Sequence, residues 1–509
     1  MTSSEDRPVG PREWAALGVL TLAVTLLAID NTVLALAVPA LTTALEPTAT
    51  QLLWIGNIYS FALAGLLITA GNLADRIGRK RLLLIGAAGF GISSAIAAFA
   101  PSAETLIAAR ALLGMFGATI MPSTLSIIRN VFHHPRQRTR AIAIWSAGAS
   151  GGAAIGPLVG GALLEHFWWG AVFLINIPVM LILIVGGYFL LPESRNPAAG
   201  RTDLLSCVLS VAAIVPLVYA IKQLLGYGFG FDTLAGVAIS LLSGCWFVLR
   251  QRRLTVPLID VTLFARPAFT GALLSTTIAI FSLSGLLFFF SQYLQLVRGF
   301  SPLMAGLAEL PLTIASIAVV LIIGVLVTWL GIGRAISAAL FSAGIGLVLL
   351  ALAEGADAYV WLALALIPIG LGIGVTMTLA TDAVVASVPP RRAGAAAAIS
   401  ETAYELGVAL GIGILGSLMT LFYRNRLTLP EDLPAEISRA ATESLASAAK
   451  HLTDGPFEEL LIGAQSAFTS AMQTTSLIAA GLTVVASVVA LRLIPSRAVE
   501  LDRDRSGLH

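Results

Sequence analysis

The chain has 509 residues, is 57% hydrophobic and only 11% charged, and has a mean hydropathy of +0.91. Soluble chains carry about a quarter charged residues, so this composition excludes a water-soluble enzyme or regulator and describes a polytopic membrane protein. A net charge of +2 offers no bulk basic surface to nucleic acid, and the only cysteines, Cys207 and Cys245, have neither metal-ligand nor disulfide-framework spacing.

Fourteen apolar segments can be drawn. The first six are Trp14–Ala40, Gln51–Ala74, Leu82–Ala100, Ala103–Ile128, Thr139–Leu164 and Gly170–Leu191. A pair follows, Asp203–Leu225 and Asp232–Leu249, and six more run Ala268–Leu296, Pro302–Leu330, Ala335–Ala353, Tyr359–Val388, Ala393–Tyr423 and Phe468–Ile494. Each must be helical, because lipid offers a backbone no partner outside its own helix. The expected domains are an N-terminal six-helix bundle (1–200), two linker helices (201–255), and a C-terminal six-helix bundle (256–509) carrying a long polar insertion at 424–467. Of 30 Lys and Arg, 23 fall at the termini or in loops that fourteen spans place on one side. That side is the cytoplasm, so both termini are expected inside. The stretch Met1–Glu13 lacks a small-residue cleavage site and is expected to be retained. The insertion, with its amphipathic stretches Ala435–Leu452 and Pro456–Phe468, is expected to form an external helical hairpin.

In chain order, the first polar feature is Asp30, inside Leu27-Ala28-Ile29-Asp30-Asn31-Thr32 and about 14 Å below the outer surface. An acid inside a span is a functional candidate by default. Next comes the connection Gly71-Asn72-Leu73-Ala74-Asp75-Arg76-Ile77-Gly78-Arg79-Lys80-Arg81. A plain positive-inside loop explains Arg76 and Arg79, but neither the glycines at 71 and 78 nor Asp75. Arg110, in the fourth segment, lies about 10 Å below the outer surface, which makes it a neighbour for Asp30. Protonating Asp30 would release Arg110, coupling a proton to a movement; a static buried pair is the bland alternative. The fifth segment has glycines at 148, 152, 156, 160 and 161, a ridge of bare backbone for close helix packing, with Pro157 inviting a bend.

Glu309, in the tenth segment, is a further buried acid. In the thirteenth, Glu401 and Glu405 lie four residues apart, on one face. Two carboxylates one turn apart in low dielectric repel, so the pair is expected to hold one proton near neutrality. Such a pair can carry a proton or meet a cation. Trp54, Tyr59, Trp145, Phe289, Tyr293 and Tyr404 are the aromatic faces available to a lipophilic cation, although aromatics in spans more often serve packing. Gly331-Ile332-Gly333-Arg334 reads as a shortened counterpart of the Gly71–Arg81 loop, which suggests two repeated halves around a central cavity.

The Gly71–Arg81 loop resembles the signature loop of the major facilitator superfamily. The pattern Gly-x(3)-Gly-Pro-x(2)-Gly-Gly around Pro157 resembles the antiporter signature of its drug-exporting branch, as do the run from Glu165 to Pro178, the Asp30 segment and the Arg110 segment. With fourteen segments and Ser-Glu-Thr-Ala-Tyr-Glu-Leu-Gly at 400–407, the chain is similar to drug:proton antiporters that export quaternary ammonium compounds, methyl viologen and dyes. The resemblance implies an all-α major facilitator fold of fourteen helices and the mainly cationic, lipophilic substrates of a multidrug efflux pump, with fluoroquinolones a further class. It places Asp30, Arg110, Glu401 and Glu405 at coupling and cation-recognition positions. Two departures stand out: the loop Arg129–Arg140 has no acid to pair with Arg76 or Arg79, and Gly170 replaces a polar residue common in relatives.

No nucleotide-binding loop is present, so the expected energy source is a proton gradient, with no cofactor, no metal and no catalytic residue. The expected partners are lipophilic cations, protons and the bilayer of the cytoplasmic membrane, with no nucleic acid and the chain acting as a monomer. Export of one endogenous metabolite or lipid, with drugs as incidental passengers, is the competing transporter reading. A membrane enzyme lacks a setting, since His133 and His134 only adjoin a basic loop.

Overall fold

The computed structural model describes residues 10–496 apart from 133, 195–202, 255–256, 258–259, 389–392, 431–432 and 453–457. The stretch before Gly10, the basic residues Arg391 and Arg392, the side chain of Asp75 and the tail after Ser496 lie outside the described residues. All regular structure among the described residues is helical. Twelve helices are long and apolar enough to cross a membrane. One of these stretches, Pro302–Ala353, is 52 residues long and contains Gly331 at φ 73, a conformation that breaks the helix and that glycine alone adopts freely. The predicted tenth and eleventh segments thus meet at a one-residue reversal.

The N-terminal half comprises α1 (Pro11–Leu45), α2 (Ala49–Ile77), α3 (Arg79–Ala98), α4 (Ala103–Val131), α5 (Pro135–His166), α6 (Ala171–Leu174) and α7 (Asn176–Leu190). Local chemistry sets the helix starts. Thr48 accepts from the Gln51 amide while the Gln51 side chain accepts from the Thr48 amide, and Ser102 caps α4 through the Thr105 amide. Inside the half, α1 packs on α5, and α2 and α3 pack on α4. The glycine ridge makes the first contact possible. A Cβ at Gly148, Gly152 or Gly156 would run into Thr21, the Thr25 backbone or Thr32, and one at Gly160 would lie 2.8 Å from Val33.

The linker pair is α8 (Leu204–Tyr227) and α9 (Phe231–Arg253). Arg250 clamps Asp203, just before α8, with two bonds of 2.9 and 3.0 Å. Burial works against the Asp203 carboxylate, but that fork and the Ser206 hydrogen bonds hold it below the usual carboxylate range. The pair leans on α2, where Val211 meets Gly65 and Thr69 donates to Cys207.

The C-terminal half comprises α10 (Pro267–Leu296), α11 (Pro302–Ala308), α12 (Leu310–Ala353), α13 (Tyr359–Ala386), α14 (Ala393–Leu410), α15 (Gly416–Arg426) and α18 (Glu458–Leu493). Between α14 and α15 lies a single π-helical turn, Gly411–Leu415. The polar insertion contains two short helices, α16 (Ala435–Glu443) and α17 (Leu445–Leu452). They touch the first two helices as well as the last two. Glu443 accepts from the Ala49 amide at 2.9 Å and pairs with Arg424 at 3.5 Å, and Lys450 reaches Glu46 and the Thr43 carbonyl.

The two halves repeat one device. Gly78, at φ 118, lies against Glu193 beyond α7, and the Arg79 amide donates to the Ser194 carbonyl at 3.0 Å. Gly331 and Gly333 lie against the backbone of Ser496 and Ile494 beyond α18. Each glycine loop therefore seats on the end of the last helix of its own half. The acid facing the basic loop comes from Glu193, which accepts from the Lys80 amide and lies 3.8 Å from Arg81.

Candidate functional site

Four helices of the N-terminal half place their polar side chains at one point. Asp30 of α1 and Arg110 of α4 form an ion pair at 3.3 Å, and both are almost fully buried. The amide of Asn176, at the start of α7, donates to the other Asp30 oxygen at 2.7 Å and to Ser94 of α3 at 3.0 Å. Arg110 also donates through Nε to the Ile55 carbonyl of α2 at 3.2 Å, and its guanidinium stacks 4.8 Å from the Tyr59 ring. Close approach of α2 and α4 depends on Gly114, where a Cβ would strike the Tyr59 carbonyl. One cation thus holds a carboxylate, a backbone carbonyl and an aromatic face together.

The second half of the site is on α14. Glu405 is buried, Glu401 one turn away is half-buried, and Tyr404 lies between them. One Glu405 oxygen has no hydrogen-bond partner. Helix α14, the π-helical turn and the start of α15 pack along α2, with Leu53 against Gly416 of α15, Gly56 against Ile412 of the turn, and Ser60 beside Glu405 of α14. The carboxylate of Glu405 is near enough to act electrostatically on both Arg110 and Tyr59. The acid of the C-terminal half and the ion pair of the N-terminal half therefore form one cluster across the boundary between halves.

Other expected site residues fall elsewhere. Trp54 packs against Phe61 on the face of α2 that turns to Ile214 and Val215 of α8. Trp145 donates to Thr124 at 3.1 Å, bridging α5 to α4. Phe289 lines two small cavities toward the α16–α17 end, shared with Met419. Tyr293 donates to the Glu354 carbonyl at 2.6 Å. Glu309 is buried at the joint between α11 and α12, near Tyr359, with one oxygen unpartnered. The structure brings Tyr59 and Tyr404 to the acidic cluster but separates Trp54, Trp145, Phe289, Tyr293 and Glu309 from it, because they face other helices.

Sequence reading missed four polar groups. Asn176 was visible only as part of a motif, and nothing in its own surroundings announced Asp30 as its partner. Asn57 and Ser60 are polar residues inside an apolar run, and that signal was available; both are fully buried, Ser60 beside Glu405 and Asn57 with neither side-chain polar atom hydrogen-bonded. Glu354, at the end of α12, is buried, with one oxygen accepting from Ser476 at 3.0 Å.

The described residues of the two halves meet at several points. Besides α2 on α14, Gly161 and Pro157 of α5 meet the backbone of α11 at Leu303 and Gly306, and Gln295 of α10 donates to the Leu36 carbonyl of α1.

The family model described as Major Facilitator Superfamily matches residues 20–412. The chain is 45% identical over 481 residues to the multidrug efflux pump LfrA of Mycolicibacterium smegmatis, covering 94% of this chain and 95% of that protein. It is 37% identical to the methyl viologen resistance protein SmvA of Salmonella typhimurium, covering 85% of this chain and 88% of that one. Among solved structures, a bacterial homolog of the human lysosomal transporter Spinster, inward-facing and unoccupied, superposes with a TM-score of 0.63 at 19% identity, covering 96% of this chain and 100% of that one. That likeness concerns the fold alone. Long apolar helices, the two glycine loops seated alike in each half, and a matching model over most of the length lead to one conclusion: this chain is a multi-pass membrane transporter belonging to the Major Facilitator Superfamily.

Proposed function

We propose that the chain is a proton-coupled multidrug antiporter with fourteen spans and both termini in the cytoplasm. It exports lipophilic, mainly cationic compounds, including quaternary ammonium compounds, dyes and fluoroquinolones, across the cytoplasmic membrane. The observation that carries this reading is Glu405, a buried carboxyl with an unpartnered oxygen, one turn from Glu401 and at the boundary between the halves. Relatives named for multidrug efflux and methyl viologen resistance support a cationic cargo.

The chemistry is competition. Two carboxyl groups one turn apart share one proton at rest, since a second charge in low dielectric is costly. A lipophilic cation stabilises both carboxylates and displaces that proton. Exchange follows because one acidic site cannot hold both. Tyr404, between the acids, offers a cation an aromatic face.

The experiment measures proton release from detergent-purified protein on adding a dicationic dye, in wild type and in Glu405→Gln. Release is expected in wild type and should be largely lost in the variant, with Glu401→Gln acting similarly but less. Equal release from wild type and Glu405→Gln would place the competition at Asp30 or Glu309 and overturn the assignment.

A further inference from the structure

The span that carries the helix-α14 acids is not one uniform helix. Glu401, Tyr404 and Glu405 stand on α14, α15 runs up to the hairpin, and the π-helical turn Gly411–Leu415 joins the two. Such a turn holds one residue more than an α-helical turn, and helices kink where one is inserted. Glycines at 411, 413 and 416 make a change of backbone conformation easy there. Just beyond the turn, the Ser417 hydroxyl donates to the Gly413 carbonyl at 2.6 Å, and Thr420 donates to the Gly416 carbonyl at 3.0 Å. A hydroxyl placed this way gives a carbonyl a second partner, so an amide can leave it without orphaning a buried group.

The two arms of this span are held unequally. On the outer arm, Tyr423 donates to the Ala441 carbonyl at 2.8 Å, and Arg424 donates to the Thr442 carbonyl at 3.0 Å and pairs with Glu443. Arg426 reaches the Ser470 carbonyl of α18. The inner arm rests on glycine contacts. Gly407 and Gly411 lie against the Thr277 and Phe281 carbonyls of α10, and Thr277 donates to the Ala403 carbonyl at 3.3 Å. Bare backbone has no side-chain ridges to interlock, so α14 can slide along α10. Toward α2 the inner arm presents Glu405 beside Ser60. Asn57, one turn from both Leu53 and Ser60, shares that face and is fully buried with neither polar atom bonded. Beside the turn lies a small cavity bordered by Gly285, Phe289, Leu415, Met419 and Met472. Methionines repack readily, so the turn can change shape on that side at low cost.

We propose that the π-helical turn is the joint on which α14 swings its acids off α2 while α15 stays fastened to the hairpin. The proposal rests on the cation-site reading of Glu405 given above. With cargo bound, Glu405 stays against α2 and the turn keeps its present form. When the inner arm swings, Glu401 and Glu405 leave that face together, because both belong to the same helix below the joint. Backbone bonds within the turn trade partners. Ser417 covers the Gly413 carbonyl meanwhile, and the Asn57 amide bonds the backbone groups that the turn releases. The cation site thereby changes its neighbours without unfastening the outer end of the span.

The test compares the wild-type chain with one from which Gly413 is deleted. Removing one residue closes the π-helical turn to an α-helical one and leaves Glu405 and Gly416 on their present faces. Ethidium, a monocationic dye, should bind the deletion protein in detergent as it binds wild type. Its transport in proteoliposomes under an imposed pH gradient should slow about tenfold or more, which corresponds to a barrier raised by ~1.4 kcal/mol. Wild-type transport by the deletion protein overturns the joint. Loss of ethidium binding overturns it too, since the turn would then only fix where Glu405 stands. Amide hydrogen exchange of the wild-type protein decides the matter even where the deletion protein folds poorly. Ethidium should slow exchange at 411–416 and leave 419–426 unchanged. Equal exchange with and without the dye, or slowing spread evenly over 393–426, leaves no joint at the turn. A Glu405→Gln control separates the two readings. If it binds ethidium like wild type, the cation site itself is misplaced; if it loses binding while wild-type exchange at 411–416 ignores the dye, only the joint fails.

Discussion

At the scale of residues, the site depends on how each buried charge is satisfied. Asp30 has one oxygen on Arg110 and the other on Asn176, so it is held from two helices at once. Removing the neutral partner is the informative change. Asn176→Leu leaves the ion pair intact but strips a donor from Asp30 and from Ser94, and an unsatisfied buried acceptor costs about 1–3 kcal/mol. This variant should reach the membrane with a lowered melting temperature, and its dye efflux should fall well below wild type at equal expression. Efflux and melting both at wild-type values would mean that Asn176 neither positions nor stabilises Asp30. Arg110→Gln alone should be far more disruptive, about 3–5 kcal/mol, because it leaves an uncompensated buried carboxylate.

At the scale of elements, glycines decide which helices can meet. On α5 they admit Thr21, Thr25 and Thr32 of α1 to backbone distance, and on α4 Gly114 admits the Tyr59 carbonyl of α2, which sets Arg110 over the Tyr59 ring. Gly331 has a different task. Its φ of 73 reverses the chain between two spans, and its bare Cα faces the Ser496 carbonyl. Gly331→Ala therefore meets both a disfavoured backbone conformation and a steric clash, and should destabilise the protein by about 1–3 kcal/mol or more. Thermal unfolding in detergent measures this, with Gly324→Ala, where an added Cβ meets open space, as the comparison. An unchanged melting temperature for Gly331→Ala would show that the reversal does not need glycine.

At the scale of the whole molecule, the α16–α17 hairpin straps the two halves at one end, through Glu443 on Ala49 and Lys450 on Glu46. The positive-inside count assigns that end to the outside. A cysteine at Glu436, which is exposed, should label in intact cells with an impermeant thiol reagent, and one at Ser506 should not. The background for both should be Cys245→Ser, since Cys245 is exposed whereas Cys207 is buried. Labelling of both sites or of neither would sink the fourteen-span orientation. The sequence by itself determined the helical class, the approximate ends of the spans, and the few ionisable residues inside them, because each follows from a local cost: an unpaired backbone or an unpaired charge in hydrocarbon. It also paired Asp30 with Arg110 by depth, and Glu401 with Glu405 by helical period. Only the tertiary structure decided that Asn176 holds Asp30, that Trp54 turns to α8, that Glu193 answers the basic loop, and that Glu354 is buried. The reason is physical. A span is apolar toward lipid and toward its neighbours alike, so the period of a helix says which residues share a face but not which helix that face will meet.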